Sequence, residues 1–314
     1  MQRLPLDMPI RRSVRPAVPD IVCVSRAMQS VMTMAARFAV VDEKILITGE
    51  SGVGKDLIAR YIHGHSSRAA RPFVAVNCAG IPDELLESEL FGHVRGSFTG
   101  ARGDTIGKLV LAHRGTVFLD EVAEMSSRMQ AVLLRFLESG EIQPVGGVKP
   151  DVRVNVRVIT ATNRDLSDLL SSGSFREDLL YRIQVGRIHV PPLRQRPDDV
   201  PALVEHLVKR SGREVQFTGE AMAALVGYRW PGNVRELRNV VERAVWMSES
   251  DVIDRDCLAF LGPPACRSNT RSERPDTARH CRRRANRVSD PAASRSDVPS
   301  TTPPLPHSEP RCVP

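Results

Sequence analysis

Short apolar runs alternate with amphipathic stretches from residue 21 to about residue 190. The runs are rich in β-branched residues, and this pattern predicts buried strands at 45–48, 73–76, 116–119 and 154–160. Between them, apolar side chains recur at helical spacing at 56–63, 127–138 and 176–183. Strands that alternate with helices form a parallel sheet with helices on both faces, so we predict an α/β domain over 21–190.

The pattern changes after Pro191-Pro192. Helical spacing without an intervening strand pattern predicts a small all-α domain over 191–261, with helices at 197–211, 218–227 and 233–248. Residues 1–20, rich in Pro and Arg, are expected to be a flexible lead-in.

The last segment, 262–314, differs in composition from the rest. It contains ten prolines and ten arginines but no aromatic residue, which predicts a disordered tail. We find no helix-turn-helix pattern in it. We therefore expect either an activity that needs no DNA-binding domain of its own, or a reading frame that is truncated or shifted near residue 262.

The formal net charge of +7 belongs to the two ends of the chain. Residues 262–314 contribute +5 and residues 1–20 contribute +2, whereas residues 21–261 carry 30 basic and 30 acidic side chains. The predicted domains therefore lack the broad basic surface that binds DNA.

The six cysteines form no CxxC pair and lie near no histidine at zinc-binding spacing, so we expect them to be free thiols. Pro5, Asp7 and Pro9 interrupt any signal-peptide core, and no apolar run approaches the length of a membrane span. These observations predict a cytoplasmic protein with no membrane contact.

A phosphate-binding loop follows the first predicted strand. Glycines at this position let backbone amides converge on phosphates, and the helix that follows adds its positive dipole. Lys55 would place a point charge on the β- and γ-phosphates of a nucleotide. The predicted ATP-binding residues are Gly49, Glu50, Ser51, Gly52, Val53, Gly54, Lys55 and Asp56.

Two carboxylates end the predicted strand 116–119. Asp120 would hold Mg²⁺, and Glu121 would polarise the attacking water. Most phosphate loops have Ser or Thr directly after the lysine as a metal ligand. This chain has Asp56 there, which makes Asp56 a second candidate ligand for Mg²⁺.

The segment 96–101 lies between these two motifs and has no evident role in nucleotide chemistry. Glycines flank a Phe-Thr pair, which predicts an exposed, mobile tip that touches another protein. The alternative is a core phenylalanine in a tight turn. The residues are Gly96, Ser97, Phe98, Thr99, Gly100 and Ala101.

From about Val22 to Leu261 the chain resembles the central AAA+ domain of the NtrC family, the bacterial activators of sigma-54 RNA polymerase. GSFTGA at 96–101 is the most specific motif, although the family has Ala where this chain has Ser97, and Glu where it has Asp56. The other matching motifs are GESGVGKD (49–56), NCAG (77–80), ESELFGH (87–93), GTVFLDE (115–121), ATNRDL (161–166), FREDLLYR (175–182), PPLRQR (191–196) and WPGNVREL (230–237).

The resemblance implies an AAA+ P-loop NTPase with a helical lid, which hydrolyses ATP with Mg²⁺ in a ring, expected to be a hexamer. The 96–101 loop would engage the sigma-54 RNA polymerase holoenzyme and drive open-complex formation, so that promoter DNA is an indirect partner. Asn163 matches the γ-phosphate sensor, and Asn77 the switch residue for Glu121. Arg176 and Arg182 match arginine fingers for the neighbouring subunit, and Arg235 matches the lid sensor.

Two other functions remain open. The chain could be a nucleotide-dependent regulatory subunit of a mixed AAA+ ring, although all residues for hydrolysis are present. It could also remodel another substrate, as a helicase loader does, although the 96–101 loop disfavours this.

Overall fold

The computed structural model describes residues 19–98, 100–147, 152–248 and 250–258. The predicted tail, nearly all of the lead-in and Thr99 lie outside them. In the described part the strands, β1 to β11 in chain order, are Ile45–Thr48, Phe73–Asn77, Gly92–His93, Thr105–Ile106, Thr116–Asp120, Glu141–Ile142, Val152–Arg153, Arg157–Thr162, Gly186–His189, Gln216–Phe217 and Val252–Ile253. The α-helices, α1 to α10, are Arg26–Ala39, Lys55–Gly64, Asp83–Phe91, Lys108–Leu111, Ser127–Ser139, Leu166–Ser171, Glu177–Ile183, Asp199–Ser211, Gly219–Gly227 and Asn233–Met247.

Five strands form one parallel sheet in the order β2-β5-β8-β1-β9. The predicted α/β class is confirmed, and three of the four predicted strands lie within a residue of their expected bounds. The fourth was placed too early. Strand β8 begins at Arg157, where its pairing with Thr116 of β5 begins, and it extends to Thr162, which pairs with Thr48.

Apolar side chains cover both faces of this sheet. Along β1, Ile45 and Ile47 pack with α1 and α2, whereas Leu46 packs into the cluster on the opposite face with α3 and α5. Alternate strand residues point to opposite faces, so a strand that is apolar at every position is buried on both. The helices therefore cover both faces of the sheet and leave its edges and strand ends uncovered.

A separate apolar cluster joins α8, α9 and α10 around Trp230. This side chain is fully buried, and its Nε1 donates to the Leu225 carbonyl at 2.8 Å. The helical character of this part is as predicted, but one expectation was wrong. A two-residue strand, β10, lies between α8 and α9 and pairs with β11 after α10. A pairing of two residues leaves no periodic signal in the sequence, since alternation needs four or more positions.

His63 lies in the interior near the start of β5. Its Nδ1 is 2.9 Å from the Thr116 hydroxyl, and its ring centre is 5.2 Å from that of Phe73. Burial lowers the pKa of His63 to about 4. The unfolded chain takes up this proton near pH 6.5, so stability is lost as the pH falls from about 6.5 to 4.

We expect the free energy of unfolding to drop by about 2 kcal/mol from pH 7 to pH 5 through His63 alone. Urea titrations of the parent and of His63→Phe, which cannot protonate, measure this loss as the difference between their pH slopes. Equal slopes would show that the pKa of His63 is the same in the folded protein as in the unfolded chain.

Candidate active site

The predicted nucleotide residues gather at the carboxyl edge of the sheet. The loop 49–54 follows β1, Asn77 ends β2, and Asp120 ends β5 beside it in register. The Gly49 amide donates to the Thr162 carbonyl of β8 at 3.3 Å, and Asn163 comes next along the chain. Parallel strands bring their carboxyl ends to one edge, which explains why motifs more than a hundred residues apart meet here.

Lys55 is buried at the first residue of α2. Its ammonium donates to the carbonyls of Gly49 at 3.0 Å and Glu50 at 3.3 Å, and lies 3.4 Å from Glu121 Oε1. The N-cap residue of helix α2, Gly54, provides no side-chain cap, so the first amides of the helix are free to face the loop concavity. Uncapped amides beside a lysine suit a phosphate group.

Three carboxylates surround that position. Burial and the neighbouring Glu121 raise the pKa of Asp120, and Asp56 also raises it. Such a group is stabilised in its charged form by a divalent cation, and carboxylate oxygens are the ligands that Mg²⁺ prefers. The donor set at Asp120 and Asp56 therefore fits Mg²⁺.

Glu121 adopts a left-handed backbone conformation, with φ of 52°. Its carboxylate is held from two sides, because Oε1 faces the Lys55 ammonium and Oε2 accepts from the backbone amide of Asn163 at 2.9 Å. A non-glycine residue in this region costs energy, and such strain is common at functional sites. The strained backbone aims the carboxylate into the cleft.

The cleft has a volume of about 670 Å³. Its walls come from the phosphate loop, from residues 19–22 before α1, and from α8 and α10. They include Ile21, Val22, Gly52, Lys55, Asp56, Asp120, Glu121, Leu203, Arg235 and Arg238. The lining combines charged side chains with apolar ones such as Ile21, Val22 and Leu203, as a nucleotide with its phosphates and its base requires.

Arg235 reaches the phosphate loop from α10. Its guanidinium donates to the Ser51 hydroxyl at 2.9 Å, and its amide donates to the Gly52 carbonyl at 3.3 Å. Gly52 has φ of 79°, and a Cβ there would lie 2.4 Å from the Gly232 carbonyl oxygen. Only glycine permits this approach of the two backbones.

Sequence reasoning missed Asn233. It is fully buried, with a left-handed φ of 53°. Its Oδ1 accepts from the Leu193 amide at 2.8 Å, and its Nδ2 donates to Glu50 Oε2 at 3.1 Å and to the Ser51 carbonyl at 3.0 Å. The available signal in the sequence was the asparagine of the WPGNVREL motif.

Arg194 contacts the same carboxylate, and it too was missed. Its guanidinium donates to both oxygens of Glu50, at 2.6 and 2.8 Å. The bonds from Arg194 and Asn233 lower the pKa of Glu50 to about 2. Glu50 is therefore an anchor between the phosphate loop and the helical part.

We expect Asn233→Ala to destabilise the protein by about 2–4 kcal/mol, because a buried side chain loses three hydrogen bonds, one buried and two part-buried, and alanine is strained at this φ. Asn233→Gly removes the same bonds without the strain and should cost less. Urea unfolding measures the stability of both variants. An Asn233→Ala protein as stable as the parent would show that the hydrogen bonds of Asn233 do not contribute to the free energy of unfolding.

Several predicted site residues do not line the cleft, among them Arg176, Arg182, Asn77 and Asn163. Arg176 caps α7 and pairs with Asp178 at 2.7 Å, and Arg182 is exposed in the last turn of the same helix. Neither lines the cleft of its own chain. Asn77 is exposed, and its Oδ1 accepts from the Ala79 amide at 3.0 Å. Among the described residues, Glu121 is bonded to Lys55 and Asn163 and not to Asn77.

The 96–101 loop projects from the β3–β4 hairpin. Gly96 and Gly100 have positive φ of 82° and 113°, and the Gly96 amide donates to the Ala101 carbonyl at 2.9 Å. Ser97 packs closely on Gly146, because a Cβ atom added to Gly146 would lie only 2.7 Å from the Cβ atom of Ser97. The prediction of an exposed Phe98 needs correction, because Phe98 is half-buried against the His93 ring, whereas Thr99 lies outside the described residues.

In the part of the chain that the structure describes, no helix is long and apolar enough to cross a membrane, and no three or more His, Cys, Asp or Glu side chains are grouped as metal ligands. Cys23, Cys78 and Cys257 are free thiols, as predicted.

The fold and the site together define an AAA+ nucleotide-binding domain followed by a lid. Residues 21–189 match the family model of the sigma-54 interaction domain, and residues 194–277 match that of the AAA+ ATPase lid domain. The chain belongs to the sigma-54 interaction domain family.

Similar proteins include transcriptional regulators. The transcriptional regulatory protein FlbD of Caulobacter vibrioides is 46% identical over 308 residues, which are 95% of this chain and 66% of FlbD. The Nif-specific regulatory protein of Azotobacter vinelandii is 49% identical over 239 residues, which are 75% of this chain and 46% of that protein. The chain thus spans from about half to just under two thirds of these relatives.

A crystal structure of NtrX from Brucella abortus in complex with ATP is similar in fold, with a TM-score of 0.70 and 39% identity. The similarity covers 77% of this chain and 57% of NtrX.

Proposed function

We propose that this protein hydrolyses ATP to engage the sigma-54 RNA polymerase holoenzyme through its 96–101 loop, and that it thereby drives open-complex formation. The observation that carries this proposal is the constellation of Lys55, Glu121 and Asn163 at the sheet edge, in a domain that also presents the loop. Promoter DNA would be an indirect partner, and the protein would act in the cytoplasm.

The residues divide the work of hydrolysis. Lys55 and the first amides of α2 would hold the β- and γ-phosphates, while Asp120 and Asp56 would hold Mg²⁺, which neutralises charge on the phosphates when bound. Glu121 now pairs with Lys55. A phosphate would compete for Lys55 and leave the Glu121 carboxylate to orient water and accept its proton.

Nucleotide state would reach the rest of the domain through three residues. Asn163 would sense the γ-phosphate through its link to Glu121, and Arg235 would draw the lid onto the phosphates from its position at Ser51. Asn77 would engage Glu121 only in another nucleotide state, since its side chain is now turned to the Ala79 amide.

The site would be completed by a neighbouring subunit. Arg176 and Arg182 lie outside the cleft of their own chain, as arginine fingers that act in trans would. A heterologous contact of this kind closes into a ring, and we propose a hexamer.

The test of this function is to separate hydrolysis from coupling. We expect Phe98→Ala to keep ATPase activity within a few-fold of the parent and to lose binding to sigma-54 in the presence of an ATP transition-state analogue. A single aromatic side chain can dominate an interface, so sigma-54 binding should be lost. Phe98 does not line the cleft, so hydrolysis should be kept.

Val40→Ala, which removes an exposed apolar side chain after α1, is the matched control and should behave as the parent. Phe98→Ala protein that still binds sigma-54 with parental affinity would refute the role of the loop. If the unmutated protein hydrolyses ATP but does not bind sigma-54, the chain would instead remodel another substrate. No ATPase activity at all would favour a regulatory subunit of a mixed ring.

A further inference from the structure

Phe98 lies against its own hairpin stem. Its ring packs edge-on against the His93 ring, with the centres 5.0 Å apart and the planes at 69°. Aromatic rings attract each other in this geometry. An aromatic side chain that is already half-buried in this way cannot offer its full surface to another protein.

Two hydroxyl groups fix the His93 ring. Its Nδ1 is 2.7 Å from the Ser88 hydroxyl, and its Nε2 is 3.3 Å from the Thr105 hydroxyl. Ser88 is buried on α3, and Thr105 is on the opposite strand of the stem. A hydroxyl can donate or accept, so both ring nitrogens are satisfied in either tautomer. His93 is therefore a fixed support and not a rotating side chain.

The stem closes independently of Phe98. Strand β3 pairs with β4, the Arg95 amide donates to Asp104 Oδ1 at 2.8 Å, and the Gly96 amide donates to Ala101. By contrast, the only polar bond that the described residues give to Phe98 is the one its carbonyl accepts from the Ala101 amide at 3.0 Å. Phe98 can therefore leave His93 while the stem stays intact.

We propose that His93 is a positioning residue that retains Phe98 against the stem, so that the loop presents this side chain to a partner only after the ring contact breaks. The identity of the partner, sigma-54, rests on the proposed function. The retaining contact itself is a property of this chain.

Helix α3 supplies one of the two hydroxyl groups that hold the His93 ring. Ser88 belongs to α3, which begins at Asp83, six residues after Asn77 at the nucleotide edge. A movement of α3 relative to the stem would carry the Ser88 hydroxyl, and with it the His93 ring, away from Phe98. Release of the loop would then follow a change at the nucleotide edge without unfolding the stem.

Hydrogen exchange followed by mass spectrometry tests the contact in the full chain without any partner. We expect His93→Ala to speed exchange of the 96–101 amides about two- to tenfold, since an aromatic pair shifts a local opening equilibrium by such a factor. In a Phe98→Ala background, the same substitution should change exchange no further. His65→Ala, at an exposed histidine after α2, is the matched control.

Two results would overturn the proposal. Either His93→Ala leaves exchange of the loop unchanged, or it speeds exchange equally with and without Phe98, which would mean that it only loosens the stem. A second arm measures sigma-54 binding, which we expect His93→Ala to make several-fold less dependent on the transition-state analogue. If exchange responds as expected but sigma-54 never binds, the proposed function fails while the retaining contact stands.

Discussion

Glu121→Gln should bind ATP with nearly parental affinity and turn it over about 10²–10⁴ times more slowly, the range that a general base contributes. The amide keeps the shape of the side chain but cannot accept the proton of the attacking water. In the structure the carboxylate is aimed by Lys55 and the Asn163 amide, so its replacement removes the base without disturbing the phosphate loop. Calorimetric ATP titration and steady-state phosphate release measure the two effects separately.

Two further variants make this result specific. Lys55→Ala removes the charge from the phosphate position and should lose ATP affinity itself. Glu124→Gln neutralises a half-exposed carboxylate that pairs with Arg164 at 3.5 Å, three residues beyond Glu121, and should hydrolyse ATP as the parent does. Parental turnover by Glu121→Gln would mean that another group activates the water.

Sequence periodicity was sufficient to predict the inner strands β1, β5 and β8, because they are buried on both faces. Strand β1, for example, is buried at all four positions. A short apolar run between a helical pattern and a glycine turn is compatible with few structures other than a buried strand. Strand β9 was not predicted. Its residues Gly186–His189 alternate between buried and exposed, and four positions at a sheet edge give a weak signal.

The cleft residues could be predicted only as far as they belong to local motifs. The phosphate loop and the Asp120-Glu121 pair are contiguous, so chemistry and spacing identify them. The anchor formed by Glu50, Arg194 and Asn233 joins three distant segments, and no pairwise pattern connects them before the chain folds.

The 96–101 loop shows the same limit. Its glycines correctly indicate a tight projection, but the flanking sequence does not show that Phe98 turns back onto His93. That contact depends on Ser88 and Thr105, which lie ten and seven residues from Phe98 and hold the ring from two elements. Side-chain packing of this kind is a tertiary property.

Arg182→Ala should lower ATPase activity per subunit about 10³-fold or more, the contribution of an arginine finger, and mixing should partly restore it. If the finger of one subunit serves the cleft of the next, each active interface needs Glu121 from one subunit and Arg182 from its neighbour. In an equimolar mixture of Arg182→Ala and Glu121→Gln subunits, roughly a quarter of the interfaces combine both, so activity should return to about that fraction.

The matched control replaces Glu121→Gln in the mixture by the double variant with Glu121→Gln and Arg182→Ala. No interface in that mixture contains an intact finger, so no activity should return. The parent should also gain activity per subunit as its concentration rises and rings form. Parental activity that does not depend on concentration, together with no rescue on mixing, would place the complete site within one chain. It would leave the exposed position of Arg182, outside its own cleft, without a catalytic meaning.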